Sequence, residues 1–398
     1  MLKASLTACA AAVVFFILFC SPGRAQDLPA NADQPPDQKT DQPSPIAEKI
    51  QRYVEDNPIV QKLSGDGFYP RIGGLNAGSG LAGGGGYRRH LSWVYADISA
   101  AISTKVYVGV DAKARWLEAF GNRLEASTEF TFRDDTKDPF YGLGLESPPA
   151  AVADYAIQTR DVSVRAVARP LPWFHVGSAV GYFSPAIRRG RDERIRSIEQ
   201  VFVDATAPGL AQRPTFLHGS VFAEIDGRDA TGFPTRGGLY RATYTVWNDR
   251  TLNQYDFRRV DLEGSHFFPV SSKNVIALRL ILSYANNAPG SRVPFYLQPS
   301  AGGGDTLRAF REYRFRDENA GVFNVEARHR VHPLVHLAAF VDAGKVGHDW
   351  QDINPLKPKM SYGLGIRAGT DDRLFFRLDA ASGGDEGARV FLKLTPAF

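Results

Sequence analysis

Residues 322–331 read VFNVEARHRV and residues 334–344 read LVHLAAFVDAG, two neighbouring stretches in which apolar and polar side chains alternate. The first sets Phe323, Val325 and Ala327 against Asn324, Glu326 and Arg328, and the second sets Val335, Leu337 and Val341 against His336, Phe340 and Asp342. Successive side chains of a β-strand point to opposite faces, and about ten residues let a tilted strand cross the bilayer core. Each stretch therefore predicts a strand with one apolar and one largely polar face.

The same pattern recurs nearer the C-terminus, in SYGLGIRAG, DRLFFRLDAA and ARVFLKLTPAF at residues 361–369, 372–381 and 388–398. A soluble sandwich also alternates, but it turns its apolar faces inward and seldom sets so many charges opposite them. Arginine and glutamate along the polar faces are typical of strands around a water-filled lumen, with lipid against the apolar faces. The sequence therefore favours a transmembrane barrel over a secreted sandwich.

The lengths of the connections also indicate a barrel. Short connections at 170–171 and 332–333 alternate with long ones at 184–213 and 288–319, and outer-membrane barrels have short periplasmic turns and long outer loops. Predicted strands fall at several places between 68 and 133 and at 153–169, 172–183, 214–226, 237–250, 255–268, 273–287, 320–331, 334–343, 360–369, 372–381 and 388–398. The total predicts an all-β, monomeric barrel of about sixteen antiparallel strands over residues 68–398.

The N-terminus has the pattern of a secretory signal peptide over residues 1–25. Lys3 precedes an apolar run, and small residues before Gln26 fit a cleavage site. Both cysteines of the chain, Cys9 and Cys20, lie in this segment. The mature chain is therefore expected to have neither disulfides nor thiol chemistry.

Two stretches separate this segment from the predicted barrel. Residues 26–45 are polar and rich in proline, which predicts a disordered linker. Residues 46–67 contain apolar side chains at helical spacing, which predicts a short periplasmic helical extension. No later apolar run is long enough for a transmembrane helix, and a net charge of +4 over 398 residues gives no signal for nucleic-acid binding.

The sequence offers no constellation for catalysis, a metal or a cofactor. His329, His332 and His336 fall on an outward face, in a turn and on an inward face, so they diverge instead of converging on a metal. No serine has the glycine pattern of a nucleophile elbow. The glycine-rich stretch 74–86 precedes no helix that could bind a phosphate. We therefore expect a protein that is not an enzyme.

The basic stretch RRGRDERIR at 188–196 lies in a long predicted outer loop. It could meet lipopolysaccharide phosphates at the outer leaflet, or it could be a solvated loop of mixed charge. Its modest net charge favours the solvated loop.

Four further stretches stand out, in this order along the chain: IDGRDATGFPTRGG at 225–238, GGGDTLRAFREYRF at 302–315, NVEARHRV at 324–331 and FVDAGKV at 340–346. Together they resemble the motifs of the BamA/TamA-type outer-membrane assembly-factor superfamily, the bacterial surface antigen family. The first resembles a periplasmic turn motif, formed here by Asp226, Arg228, Asp229, Pro234, Gly237 and Gly238. The terminal Phe398 matches the aromatic residue by which assembly machinery recognises outer-membrane clients.

The second stretch resembles the family's sixth outer loop, which implies that the connection 288–319 folds back into the lumen. Arg308 would then bind Glu326 or Asp342 on the inward faces, because a guanidinium is a planar fork of donors that suits a carboxylate. Phe310 would pack against the inner wall. The alternative is a solvated basic loop. Ala309 stands where the family motif has glycine, so its backbone must avoid a glycine-only conformation or accept strain.

The resemblance also implies a function, namely insertion or translocation of proteins at the bacterial outer membrane through a weak seam between the first and last strands. Family members usually carry periplasmic POTRA domains, and we expect none here, because the residues before the predicted barrel offer only the linker and the short helical extension. The expected partners are outer-membrane lipid and lipopolysaccharide, together with unfolded clients or a separate periplasmic partner docking on 46–63 or on the turn 227–236. The alternative is a passive structural or pore-forming barrel, for which continuous pairing near 68–90 would be expected.

Overall fold

The computed structural model describes residues 65–116, 123–370, 374–384 and 386–394. The predicted signal peptide and linker, residues 46–64 of the predicted helical extension and the terminal Phe398 lie outside the described residues. What the sequence predicts for those segments stays a prediction.

The described residues form strands joined by turns and by four short 3-10 helices. The strands are β1 (Gly67–Gly73), β2 (Ala82–His90), β3 (Val94–Ser103), β4 (Val108–Trp116), β5 (Leu124–Phe140), β6 (Ala153–Leu171), β7 (Phe174–Arg189), β8 (Phe216–Asp226), β9 (Gly237–Asp249), β10 (Phe257–Pro269), β11 (Asn274–Asn287), β12 (Ser300–Ala301), β13 (Phe315–Arg316), β14 (Asn319–His332), β15 (Val335–Gly347), β16 (Lys359–Gly369), β17 (Leu374–Ser382) and β18 (Ala388–Lys393). The 3-10 helices are Pro149–Ala151, Ile198–Gln200, Phe295–Leu297 and Trp350–Asp352. No helix within the described residues has the length and apolar character needed to cross a bilayer.

One sheet contains sixteen of these strands, and each pairs antiparallel with its neighbours in chain order. The short strands β12 and β13 form a separate two-stranded ribbon. A sandwich needs two sheets packed face to face, whereas here a single sheet continues from β1 to β18. The predicted all-β fold of sixteen antiparallel strands is confirmed.

The strand β15 shows which face of the sheet is turned inward. His336, Phe340 and Asp342 are buried, whereas Leu337 and Val341 are 47% and 43% exposed. A water-soluble protein hides its apolar side chains and exposes its charged ones, and this strand does the reverse. The apolar face is therefore the one that meets lipid, and the polar face lines the interior, as in a membrane barrel.

The two ends of the sheet differ in their connections. Turns at 172–173 and 333–334 join strands at one end, and the long connections 190–215 and 288–314 lie at the other. In membrane barrels of this kind the short turns are periplasmic and the long loops are outside. The connection 227–236, between β8 and β9, is longer than the other described turns of the periplasmic end.

Some strands extend beyond their predicted ends. The prediction ends β7 at residue 183, but the strand continues to Arg189. The extension supports an outer layer, in which Phe140, Tyr155, Ile198 and Phe295 form a buried apolar cluster. The long strands therefore act as a base for the loop 190–215, a role that the alternation of a single strand does not reveal.

The connection between β15 and β16 folds over the outward face of the wall. The ring of Trp350 meets the ring of Tyr284 edge-on, with their centroids 5.6 Å apart. Gly321 leaves room for this fold, because a Cβ at that position would lie 2.7 Å from Cγ2 of Ile353. This loop therefore rests beside the lipid-facing surface instead of standing away from it.

Within the described residues, the first and last strands are the shortest of the large sheet, with seven residues in β1 and six in β18. In the part of the chain that the structure describes, β1 pairs with β2 and β18 pairs with β17, and neither has a second partner. On its paired side β1 is held well. The ring of Tyr69 packs directly on Gly86, because a Cβ on that glycine would lie 2.3 Å from Cζ of Tyr69. The hydroxyl of Tyr69 donates to Asp97 at 2.8 Å.

Candidate functional site

The connection between β11 and β14 enters the lumen and turns back on itself. The ribbon β12–β13 closes its base by pairing Ser300 with Arg316 and Ala301 with Phe315. Gly302 and Gly303 have φ of 123° and 90°, values that favour glycine. A Cβ on Gly302 would stand 2.3 Å from the carbonyl oxygen of Arg311. The two glycines therefore allow a closed loop at 302–314, which we call the lumenal loop.

The lumenal loop places Arg308 against the inner faces of β14 and β15. Its side chain is 2% exposed, and its guanidinium donates to Glu326 at 2.8 Å and to Asp342 at 2.7 Å. Nε and the backbone N–H of Arg308 also donate to Asp342, at 3.0 and 3.2 Å. The guanidinium carbon lies 3.3 Å from the ring centre of Phe340. Ala309 does not have a positive φ, so an alanine fits here without backbone strain although the family motif has glycine.

Other side chains fix the two carboxylates in place. Ser361 and Asn324 donate to Asp342 at 2.8 and 2.9 Å. Arg328 and Arg367 contact Glu326 at 2.9 and 2.7 Å. Charged donors of this kind make strong hydrogen bonds and orient the acceptor. Arg308 therefore meets carboxylates that neighbouring strands already hold in position.

The ion pairs continue across β16 and β17 to the last strand. Asp379 contacts Arg367 at 2.6 Å and Arg377 at 3.1 Å. Arg377 also contacts Asp305 of the lumenal loop at 2.5 Å, and Lys393 of β18 contacts the same carboxylate at 2.6 Å. We call these groups the ion-pair network, whose members are Arg308, Arg328, Arg367, Arg377, Lys393, Asp305, Glu326, Asp342 and Asp379.

An apolar cluster lies beside the network. Phe310 is 3% exposed and belongs to a buried cluster with Phe315, Val322 and Phe340. The rings of Phe310 and Phe315 meet at 66° with centroids 5.1 Å apart. Apolar side chains at this position remove water from the neighbouring charges, which strengthens their interactions.

The far side of the lumenal loop reaches the opposite part of the sheet. The hydroxyl of Tyr313 donates to the carbonyl of Ala77, in the connection between β1 and β2, at 3.1 Å. Arg314 donates to the carbonyl of Ser147 at 2.6 Å and pairs with Glu386. The lumenal loop therefore contacts the neighbourhood of the first strand with Tyr313 and the last strand with Asp305.

Two groups of the lumenal loop have shifted pKa values. Burial raises the pKa of the Glu312 carboxyl above its usual range, against the opposing effect of Lys393. Burial disfavours the charge of Arg308, but Asp342 and Glu326 outweigh this and raise the pKa of its guanidinium. Arg308 therefore keeps its positive charge in this site.

The predicted turn motif lies at the periplasmic end, away from Arg308. Arg228 forms a two-point pair with Asp226, with both hydrogen bonds at 2.9 Å. Asp229 accepts from the backbone N–H groups of Thr235 and Arg236 at 2.9 and 3.1 Å. Gly227 donates to the carbonyl of Gly238 at 2.8 Å, Gly237 has φ of 84°, and Pro234 is buried. These contacts hold the turn in one compact conformation.

The comparisons with known proteins agree with this fold. Residues 203–383 match the Omp85 superfamily domain. The chain carries an Omp85 superfamily domain. The matched span includes the turn motif, the lumenal loop and strands β8 to β17, so the predicted resemblance to the BamA/TamA-type superfamily is confirmed.

Two solved structures have the same fold as this chain. BamA from Haemophilus ducreyi lacking POTRA domains 1–3 superposes with a TM-score of 0.63 and 17% identity, over 82% of this chain and 69% of that chain. CdiB from Escherichia coli superposes with a TM-score of 0.53 and 11% identity, over 82% of this chain and 61% of that chain. No curated protein matches the chain. At these identities the two structures establish the fold of this chain and nothing beyond it.

Several members of the ion-pair network are not among the residues that the sequence predicts for this site. Alternation puts Arg328, Arg367, Arg377 and Asp379 on polar inward faces, so the same signal that selects Glu326 could have selected them. The same alternation puts Lys393 on the inward face of β18, but Asp305 lies in the lumenal loop and could not have been found in this way. Their contact depends on how deeply the lumenal loop enters, which no strand pattern encodes.

Other predicted groups of the Omp85 chain lie apart from one another. His329 hydrogen-bonds to Asn274 at 2.8 Å, while His336 stacks on Phe233. Among the described residues, no three His, Cys, Asp or Glu side chains are grouped as metal ligands. In the basic stretch, Arg194 pairs with Asp192 at 2.9 Å and holds the pKa of that carboxyl at about 2.

Proposed function

We propose that this Omp85 barrel assists the insertion or translocation of proteins at the outer membrane of Gram-negative bacteria. One observation carries the proposal. The lumenal loop contacts β18 through Asp305 and Lys393, and the connection after β1 through Tyr313 and Ala77. It thus links, from inside the lumen, the two strands that lack a second pairing partner in the described residues.

An unpaired strand edge presents a row of free N–H and C=O groups, which can pair with an incoming strand. Here both edges belong to the shortest strands of the sheet. Because neither edge has a partner in the described residues, a client strand could add to β1 or β18 without breaking a pairing that the structure describes. The lumenal loop would keep the two strands near each other while a client strand adds.

The pairing of β1 with β2 refines this mechanism. All seven residues of β1 pair in register with β2, and the glycines of β2 do not interrupt the ladder. Continuous pairing near residues 68–90 is what is expected of a passive pore, so this ladder does not favour client entry. The proposal depends instead on the other edge of β1, where the described residues show no partner.

Site-specific crosslinking during folding of a client tests the proposal. The full chain is placed in liposomes, with single cysteines on β1 at Phe68 or Ile72, which are 84% and 70% exposed. An unfolded outer-membrane barrel with a cysteine in its last strand is added, and both its folding and its disulfides are followed. We expect faster client folding than in empty liposomes, and disulfides that depend on the cysteine position.

Cysteines at Val180 and Val221 are matched controls, because these side chains are 57% and 56% exposed on the outward faces of β7 and β8. Both positions should give no disulfide with the client. Equal crosslinking from all four positions, or client folding no faster than in empty liposomes, would count against the proposal.

A passive pore is the second candidate, and two observations favour it: the continuous pairing of β1 with β2 and the hydration of part of the inner wall. The interior of β3 to β5 carries partly exposed pairs, such as Lys113 with Glu129, whose side chains are 41% and 33% exposed. Charges that keep water around them are typical of an open lumen. Steady ion flux from liposomes without any effect on client folding would support this candidate over the first.

A further inference from the structure

The β8–β9 connection, residues 227–236, bends into the lumen at the periplasmic end. Its tip is buried from Gly232 to Pro234, and Phe233 is only 3% exposed, although turns of this kind normally lie on the surface. The ring of Phe233 stacks on His336 of β15, with centroids 4.4 Å apart and planes within 10°. Because β10, β11 and β14 separate β9 from β15 in the sheet, this contact spans part of the lumen.

The base of the connection is fixed, so its tip is presented in one position. The hydrogen bonds of Asp226 and Asp229 close the base, as described above. A Cβ on Gly237 would lie 2.0 Å from the carbonyl oxygen of Gly227, which shows how closely the two sides approach. A short connection held in this way loses little entropy when Phe233 docks.

The docked ring lies next to the ion-pair network. His336 is the register partner of Arg367 on β16, and Arg367 contacts Glu326 at 2.7 Å. Arg328 also contacts Glu326, at 2.9 Å, and its guanidinium carbon lies 5.4 Å from the ring centre of Phe267. The lumenal loop thus approaches Glu326 from the outer end, and the β8–β9 connection closes the same region from the periplasmic end.

We propose that the β8–β9 connection is a gate at the periplasmic mouth of the lumen, with Phe233 as the wedge that seals it against His336. The closed gate keeps water from the ion-pair network, whose contacts are strong only while water is excluded. This inference goes beyond the proposed function, because such a gate would serve an assembly factor and a pore alike. Its test therefore uses no client.

Cysteine labelling at Ala338 measures the gate directly. Ala338 is 4% exposed and lies on the inward face of β15 beside His336. The described residues contain no native cysteine, and Cys9 and Cys20 can be replaced by serine in the full chain. The reaction of Ala338→Cys with a charged, membrane-impermeant maleimide is timed in liposomes of phosphatidylcholine.

The matched control is Phe268 of β10, which lies at the same end of the sheet but is 44% exposed. With Phe233→Ala added, labelling should be about tenfold faster or more, because the seal no longer closes. With Phe268→Ala added, the rate should stay that of Ala338→Cys alone. Equal rates in the two double variants would overturn the gate.

A folding control shows whether a change in labelling rate comes from the gate or from misfolding of the variant. Each variant is checked for the heat-sensitive gel mobility of a folded barrel before it is labelled. If Phe233→Ala does not fold, Phe233→Leu takes its place, since leucine keeps apolar volume but cannot stack on His336. The expected rate is then intermediate, and a rate equal to that of Ala338→Cys alone would overturn the proposal.

Discussion

Two parts of the inner wall carry the same kinds of charged pair in different surroundings. On the first strands, Arg71 contacts Asp111 at 2.6 Å, and their side chains are 23% and 30% exposed. Under the lumenal loop, Arg308 contacts Asp342 at 2.7 Å, and their side chains are 2% and 0% exposed. The distances are alike, so burial is what separates the two pairs. It is the folded loop, and not the sequence of the strands, that turns ordinary lumenal charges into a buried network.

This difference sets what each part of the wall can do. A hydrated pair contributes little and can exchange partners with water. A buried pair cannot lose one member without leaving an uncompensated charge in a dry site. We therefore expect the β14–β17 wall with its loop to be the fixed part of the barrel, and the β1–β5 wall to be the adaptable part.

The largest expected effect is that of Arg308→Ala. It removes the cation that contacts the buried Asp342, whereas Glu326 keeps Arg328 and Arg367. The uncompensated charge of Asp342 should destabilise the folded barrel by about 3–5 kcal/mol. Arg71→Ala is the matched variant in the hydrated wall and should cost about 1 kcal/mol or less. Heat- and protease-sensitivity of the folded form, at equal expression, measures both. Equal sensitivity of the two variants would remove the distinction between the two parts of the wall.

A double-mutant cycle measures the interaction energy between Arg308 and Asp342 separately from the other contacts of each residue. For Arg308→Ala with Asp342→Asn we expect an interaction energy of about 2–3 kcal/mol, because the two groups touch in a dry site. For Arg71→Ala with Asp111→Asn we expect less than about 1 kcal/mol. The midpoints of urea unfolding in lipid vesicles give the relative stabilities of the wild type, the two single variants and the double variant of each cycle. A coupling as small in the first cycle as in the second would mean that the buried contact adds nothing specific.

High salt should increase the difference between the stability losses caused by Arg71→Ala and Arg308→Ala. The screening length falls from about 10 Å at 0.1 M to about 3 Å at 1 M, and this weakens hydrated pairs far more than buried ones. The stability lost on Arg71→Ala should therefore vanish at high salt, while the loss on Arg308→Ala should persist. The same urea midpoints, measured at both salt concentrations, check this. Loss of the Arg308→Ala effect at high salt would show that water reaches the network.

The smallest expected effect concerns Glu312, because burial raises the pKa of its carboxyl above the ordinary glutamate value of 4.5. The unfolded chain then ionises first, so wild-type stability should fall as pH rises from about 4.5 through the raised folded pKa. Glu312→Gln removes this loss and should gain stability relative to wild type as pH rises through that window. Thermal midpoints of both proteins from about pH 4 to pH 7 measure the difference. A difference that stays constant with pH would contradict a raised pKa.

Much of the fold could be predicted from the sequence because each strand shows the alternation of apolar and polar side chains by itself. In β14 and β15, alternation alone separates the lipid-facing Phe323 and Val341 from the inward Glu326 and Asp342. It works because a membrane strand meets two uniform environments, one on each face. The sequence does not predict the outer parts of β5 and β7, because loops cover these strands there and neither lipid nor lumen sets their pattern.

The site was only partly predictable, for a different physical reason. A guanidinium in a glycine-rich segment and carboxylates on inward faces suggest which residues can pair, and the resemblance indicates that the loop enters the lumen. How deeply it enters depends on the ribbon β12–β13 and on the contacts of Tyr313 with Ala77. The docking of Phe233 on His336 gave no sequence signal at all, since a phenylalanine in a turn is usually read as a surface residue.

Single-channel conductance in planar bilayers tests the central claim most directly, namely that Arg308 fastens the lumenal loop inside the barrel. The wild type, Arg308→Ala and Arg71→Ala are compared under the same salt and voltage. We predict small, fluctuating currents for the wild type and for Arg71→Ala, and larger currents for Arg308→Ala as the loop leaves the lumen. A steady, large conductance that neither substitution changes would contradict the account and would point to a permanently open pore.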